Sequence, residues 1–388
     1  MTNQYYFDHA ASAPRRDEVA DAMSRWQHGI VGNPSGSHRA AREARRAVEE
    51  ARDEVAAFVG VKPGGVIFTA GGTESCHLAV TGAANYHRRH HETTSIVISR
   101  IEHQAVIDAV EMMARDFDSV SARYVEVDSD GVVDLDSLAT NIAADTAVVS
   151  VMSANNETGV VQPLEGIASV VNASLGKTAL THTDAVAAAP WLDLTDVTSS
   201  IDMISICAHK IGGPVNSGAL ILRGDVALDA MVPGGGQERG RRGGTVDVAS
   251  AVGLATAVRL TAKEREEVTQ RVTGFQRQLL LALTDLEGCL ATAPGATRLP
   301  GTVHLTFAGL ASDELIFLLD QEGVCAAAAS SCSSGAAVAS HVLAAMGMAP
   351  ERARGSLRLS MGAETTQADV DALIVILSSV VDRLYPER

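Results

Sequence analysis

Apolar residues at 39–59 recur at helical spacing: Ala44, Ala47, Val48, Ala51, Val55, Phe58 and Val59 share one face, charges fill the other, and Gly60 follows as a stop. This pattern predicts an amphipathic helix lying on a core. The next run, Val66-Ile67-Phe68-Thr69, predicts a strand, and Ala-Gly-Gly-Thr-Glu-Ser at 70–75 predicts a turn into another helix. Short apolar runs bounded by polar turns recur at 96–98, 147–152, 201–206 and 219–222, with helical patterns such as 104–114 and 163–174 between most of them. Alternation of that kind predicts a mainly parallel α/β sheet. From about Val246 a long helical pattern leads into a second block, with strand candidates at 302–307 and 356–360 and a closing helix at 368–384. The second block reads as a smaller α+β unit.

A chain of 388 residues exceeds what one core usually organises, so two domains are expected: a large α/β domain at 15–255, and a small α+β domain at 1–14 plus 256–388. The formal net charge of −16 argues against nucleic acid or an anionic membrane as partner, since either favours a basic face. Arg42, Arg45 and Arg46 sit on the mixed-charge helix, whereas Arg239, Arg241 and Arg242 lie in a glycine-rich loop where anion binding competes with a structural role. The five cysteines (76, 207, 289, 325 and 332) form no Cys-x-x-Cys pair and no zinc spacing, which fits a reducing compartment. No secretory leader and no membrane-length apolar run is present, so a soluble cytoplasmic protein is expected. Segment 326–340, almost wholly Ala, Ser, Gly and Val around Cys332, is expected to be a mobile surface loop.

Candidate chemistry begins at Ser-Ile-Cys-Ala-His-Lys, 205–210. A lysine after an apolar run, beside a histidine and ahead of Gly212-Gly213, is placed like a Schiff-base lysine at a strand end, although a solvated surface charge is the commoner explanation. Gly71-Gly72-Thr73 between strand and helix presents backbone N–H groups suited to a phosphate, or is simply a turn. Asp184 could keep a pyridinium protonated, or could cap a helix at 185–189. His103 could stack on a ring and shuttle protons, or serve a structural bond. Asn155-Asn156-Glu157-Thr158-Gly159 makes a turn at a position where a strand meets a ligand crevice. All five elements sit at or just past predicted strands, and in an open α/β sheet such ends converge on one crevice.

In their order and spacing these residues resemble the NifS/IscS-type cysteine desulfurases, within the fold-type I (class V aminotransferase) pyridoxal phosphate enzymes. The match runs through Asp-His-Ala-Ala at 8–11, Gly-Asn-Pro-Ser at 32–35, Thr-Ala-Gly-Gly-Thr-Glu-Ser at 69–75, Glu-His at 102–103 and Asn-Asn-Glu-Thr-Gly at 155–159. It continues through His-Thr-Asp-Ala at 182–185, Ala-His-Lys at 208–210, Gly-Gly-Gly-Gln-Glu-Arg at 234–239, Cys-Ser-Ser-Gly at 332–335 and Ser-Leu-Arg-Leu-Ser at 356–360. The resemblance implies a large domain with a seven-stranded, mainly parallel sheet, pyridoxal 5′-phosphate as cofactor and a homodimer with a shared active site. It implies Lys210 as the Schiff-base lysine, Cys332 as the sulfur-accepting nucleophile and His103 as stacking and proton-transfer residue. Asp184 would pair with the pyridine nitrogen and Asn156 would lie near the ring hydroxyl. Gly72, Thr73, His209 and, from the partner subunit, Thr245 would hold the phosphate; Arg358 would bind the substrate carboxylate, with Asn33 nearby.

Two positions depart from the family pattern. Ala187 stands where relatives have a glutamine bonding the ring hydroxyl, and Cys207 where they have a serine bonding the phosphate. Each change removes or weakens one hydrogen bond, worth about 1 kcal/mol. The expected reaction converts L-cysteine to alanine and leaves a persulfide on Cys332, which supplies a sulfur acceptor such as an iron–sulfur scaffold protein. The alternatives are a related lyase or transferase of the same fold, such as a selenocysteine lyase or a small-substrate aminotransferase, and a non-catalytic sulfur-trafficking scaffold.

Overall fold

Helix α2 (Arg39–Val59) occupies the span its periodicity predicts, and Gly60, at φ +69°, ends it in the left-handed region. All seven apolar residues of the predicted face are buried. In this computed structural model, which describes residues 4–176, 178–328 and 340–385, α2 packs with α1 (Asp17–Gln27) on the long helix Val248–Leu283.

Among the described residues twelve strands follow in chain order. They are β1 (Tyr5–Tyr6), β2 (Val66–Thr69), β3 (Thr94–Ser99), β4 (Val120–Val125), β5 (Thr146–Ser150), β6 (Leu180–Asp184), β7 (Met203–Cys207), β8 (Gly218–Leu222), β9 (Cys289–Ala291), β10 (Thr302–Phe307), β11 (Val324–Cys325) and β12 (Ser356–Ser360). Seven form one sheet in the order β2-β8-β7-β6-β5-β3-β4. Only β8 runs against the others, so the carboxyl ends of β2, β3, β5, β6 and β7 share one edge. Helices α3 (Gly72–Arg88) and α4 (Gln104–Asp116) start directly after β2 and β3, and both begin at that edge. The expected strands and helices are present, with ends shifted by a few residues.

Two strands of the seven-stranded sheet lack a clear apolar signature in the sequence. β4 is the edge strand, and Ser121 to Tyr124 are at least partly exposed, so no buried run marks it. β6 lies in the sheet centre, yet reads Leu-Thr-His-Thr-Asp. Its polarity is tolerated because His182 bonds Ser150 Oγ through Nδ1 at 2.8 Å and Ser205 Oγ through Nε2 at 2.9 Å. Burial lowers the His182 pKa to about 3, so the ring is neutral and one serine donates while the other accepts.

A second, antiparallel sheet has the order β12-β10-β9, and β1 pairs in parallel with β11. The N-terminal segment is stitched to β12: Ser360 N donates to Phe7 O at 2.7 Å, and Ala10 N donates to Ser360 Oγ at 2.8 Å. Among the described residues no helix is long and apolar enough to cross a membrane.

Candidate active site

The shared carboxyl edge opens into a cavity of about 440 Å³, a size suited to a small-molecule ligand. Its walls bring together Gly72, Thr73, His103, Asn156, Asp184, Cys207, His209, Lys210 and Arg358, nine of the twelve residues singled out from the sequence. Asn33 and Thr245 are not among them. Asn33 is exposed, and its Oδ1 accepts from Ser35 N at 2.9 Å. Thr245 lies in a separate cleft with Thr69, Ser217 and Arg242. Cys332 falls outside the described residues, as does most of the 326–340 segment.

At the start of α3, Ser75 N is the first amide with a helical partner, Gly71 O at 3.1 Å; the amides ahead of it have none inside the helix. Gly71 has φ +152°, a region that L side chains rarely adopt. A Cβ on Gly72 would come within 2.9 Å of Val186 Cγ2, so glycine lets the 185–187 turn close over the helix end. The result is a cradle of backbone donors at the positive end of a 17-residue helix.

Asp184 ends β6, and its Oδ1 accepts from Val186 N at 2.9 Å. Residues 185–189 form a turn rather than a helix, so the capping alternative does not hold. His103 caps α4, its Nδ1 accepting from Ala105 N at 3.0 Å, which assigns the proton of the neutral ring to Nε2. Lys210 Nζ donates to Ala10 O at 2.5 Å and Ala11 O at 2.7 Å. Beside it, burial and the Lys210 charge depress His209 to about 4, so His209 is neutral at pH 7.

Arg358 projects from β12 with 3% exposure. Nη1 donates to Asn156 O at 3.0 Å and Nη2 to Asp8 Oδ1 at 2.9 Å, while Nε is buried without a partner among the described residues. Asp8 and the carbonyls of Ala10 and Ala11 are site components that residue-level reading left without a role. Their only signal was the Asp-His-Ala-Ala motif itself.

Two buried carboxyls adjoin residues of the cavity wall in the chain, Glu102 next to His103 and Glu157 next to Asn156. Glu102 is fully buried, bonded by Ser99 Oγ and Met152 N, and burial pushes it up to about 8. Burial also raises Glu157, while Ser340, Arg358 and His103 pull it back, to about 7. The arginine cluster of the glycine-rich loop turns out to be structurally engaged: Arg242 pairs with Glu74 at 2.9 Å, and Arg239 and Arg241 donate to the carbonyls of Gly64 and Val226.

Cys207 is fully buried with Sγ 3.9 Å from His209 Nε2, and burial pushes the thiol up to about 12. It is therefore a protonated, weak donor. Ala187 lines both this cavity and a second one that continues past Trp191 and Arg265.

A family model described as aminotransferase class-V matches residues 5–373. The chain is similar to the IscS-like cysteine desulfurase of Mycobacterium tuberculosis, with 41% identity over 389 residues, 97% of this chain and 96% of that protein. Among solved structures it is similar to a NifS-like protein, with TM-score 0.91 and 30% identity, covering 98% of this chain and all of that one (100%). It is also similar to SspA in complex with cysteine, with TM-score 0.80 and 29% identity, covering 94% of this chain and 100% of that one.

Proposed function

The chain belongs to the class-V aminotransferase family, and on that premise we propose that it is a pyridoxal phosphate-dependent cysteine desulfurase acting on L-cysteine. The observation that carries the reading is the convergence of an amine, a buried carboxylate, a ring-bearing proton carrier and a helix N-terminus on one cavity. That donor set fits pyridoxal phosphate. The cradle at Gly72 and Thr73 takes the phosphate with His209, Asp184 takes the pyridine nitrogen, and Lys210 supplies the amine for covalent attachment. When bound, the cofactor supplies an electron-withdrawing ring that stabilises negative charge at the substrate Cα.

The remaining work falls to this chain. Arg358, already held by Asp8 and Asn156, fixes the substrate carboxylate with the second N–H of each Nη group, which those two bonds leave over. Lys210 and His103 move the Cα proton, with the His103 ring held at the start of α4 through Nδ1. The Cys332 thiolate then attacks the substrate sulfur. The substrate C–S bond breaks, an S–S bond forms, and the products are alanine and the Cys332 persulfide. Thr245 lies in a cleft of its own, which fits the homodimer reading in which it completes the phosphate site of the neighbouring subunit. A sulfur-acceptor protein would then take the persulfide sulfur.

A visible spectrum with and without L-cysteine, followed by mass measurement of the Cys332 peptide, tests the reading. An absorbance change on adding cysteine and a mass gain of one sulfur are expected. Cys332→Ala should abolish sulfide release, and release that persists in this variant overturns the persulfide mechanism.

A further inference from the structure

Ala327 and Ser340, on either side of the stretch that carries Cys332, are fastened to Arg358 of the cavity wall and to Glu157, the neighbour of Asn156 in that wall. On the N-terminal side, Ala327 exchanges two backbone hydrogen bonds with Arg358, at 3.2 Å and 2.7 Å. On the C-terminal side, Ser340 Oγ donates to Glu157 Oε2 at 2.5 Å, and the next residue, His341, donates from Nε2 to Glu102 O at 2.9 Å. Glu102 immediately precedes His103, and Glu157 immediately follows Asn156, whose carbonyl accepts from Arg358.

Glu157 is built for such a contact. It is 6% exposed, and Ser340 is 5% exposed. Its backbone is fixed by Asn155, whose Oδ1 accepts from Glu157 N and Thr158 N, both at 2.9 Å. Burying a carboxyl is costly unless something is gained by it, and none of the steps above uses this one. Ser340 has a second bond, accepting from Leu343 N at 3.2 Å, so its hydroxyl is oriented from both sides.

Taking the desulfurase reading as given, we propose that Glu157 is a positioning residue for sulfur transfer: through Ser340 it sets where the chain returning from Cys332 meets the active-site wall. The residue touches neither cofactor nor substrate. The contact with Ser340 bears on the step in which Cys332 attacks; because Glu157 also faces the charges of Arg358 and His103, Ser340 is the side that probes this contact alone.

The test compares two rates in cofactor-loaded protein mixed with L-cysteine: the visible absorbance change, and persulfide mass on the Cys332 peptide in quenched samples. For Ser340→Ala, persulfide formation is expected to slow by about tenfold or more while the absorbance change stays within about twofold, and Glu157→Ala is expected to slow persulfide formation to the same extent. The double variant is expected to be no slower than either single, because the two side chains act through one contact. Ser340→Thr keeps the hydroxyl and is expected to restore the rate, which general damage to the fold would not allow. If Glu157→Ala does not fold, the Ser340→Ala and Ser340→Thr pair decides alone. In Ser340→Ala, unchanged persulfide formation, equal slowing of both rates, or failure of threonine to rescue each overturns the proposal. Wild-type protein that forms no persulfide removes the desulfurase reading together with it; normal wild-type persulfide with unaffected variants removes this inference only.

Discussion

Cys207 and Ala187 line the cavity wall beside Lys210, the two positions that the family resemblance sets apart in the sequence. Serine in place of Cys207 fits the same volume and donates a better hydrogen bond, so Cys207→Ser is expected to tighten pyridoxal phosphate binding by about fivefold, the equivalent of about 1 kcal/mol. Titrating stripped protein and following the visible band measures it; unchanged or weaker binding counts against a phosphate contact at this position. At this scale the sequence revealed residues that end strands. Lys210, Asp184 and His103 each follow an apolar or half-apolar run, and the fold gathers them. The Asp8 contact to Arg358 spans 350 positions, and no local pattern announces such a pairing. Thr245 and Asn33 were named through family resemblance, and the single chain leaves both outside the cavity.

Among the elements, α2 was readable because one face is continuously apolar, whereas β6 was not, because its polar side chains are satisfied by β5 and β7. In the glycine-rich loop after β8 the sequence pointed to Arg239, Arg241 and Arg242, yet it is Glu238 that forms a buried ion pair there. Glu238, in the left-handed region at φ 45°, takes both Arg52 Nη atoms at 2.9 and 2.7 Å and accepts from Phe68 N at 2.8 Å. The pair ties α2, β2 and the loop leading to Thr245 into one unit. Removing one partner strands a buried charge, so Arg52→Met is expected to cost about 3–5 kcal/mol, read as a lower urea midpoint. A loss under about 1 kcal/mol would mean the pair is far better hydrated than its 4% and 2% side-chain exposures indicate.

For the molecule as a whole, four fully or nearly buried groups set opposing pH trends. His182 and His304 are kept neutral by burial, with His304 further depressed by Arg358 and Arg298, each to about 3 against an ordinary 6.5. Unfolding lets them take up protons below about 6.5, so stability falls as pH drops from there towards 3. Glu102 and Glu157 are kept protonated to about 8 and about 7 against an ordinary 4.5. Unfolding lets them release protons above 4.5, so stability falls as pH rises to those values. Between about 4.5 and 6.5 the two pairs oppose each other, and the expected profile is flat there with a decline on either side. Each carboxyl contributes a slope of about 1.4 kcal/mol per pH unit above that plateau, and Glu102→Gln, which cannot ionise, is expected to flatten the alkaline side. Urea midpoints from pH 6 to 8.5 check it; identical profiles for the two proteins would place the alkaline loss elsewhere.

The bond between Asp8 and Arg358 also carries a timing consequence for the growing chain. At about 5–20 residues per second, roughly 20–70 s of synthesis separate the two partners. In the last part of that interval, once Leu222 has been made, the seven-stranded sheet can fold with Lys210 and Asp184 in place while the carboxylate anchor does not yet exist. β12 arrives last, pairs with β10, and in the same movement receives Ser360 and Arg358 onto residues 7–10. A ribosome-released fragment ending before Ser356 would thus hold much of the cofactor cradle and none of the means to seat an amino acid in it.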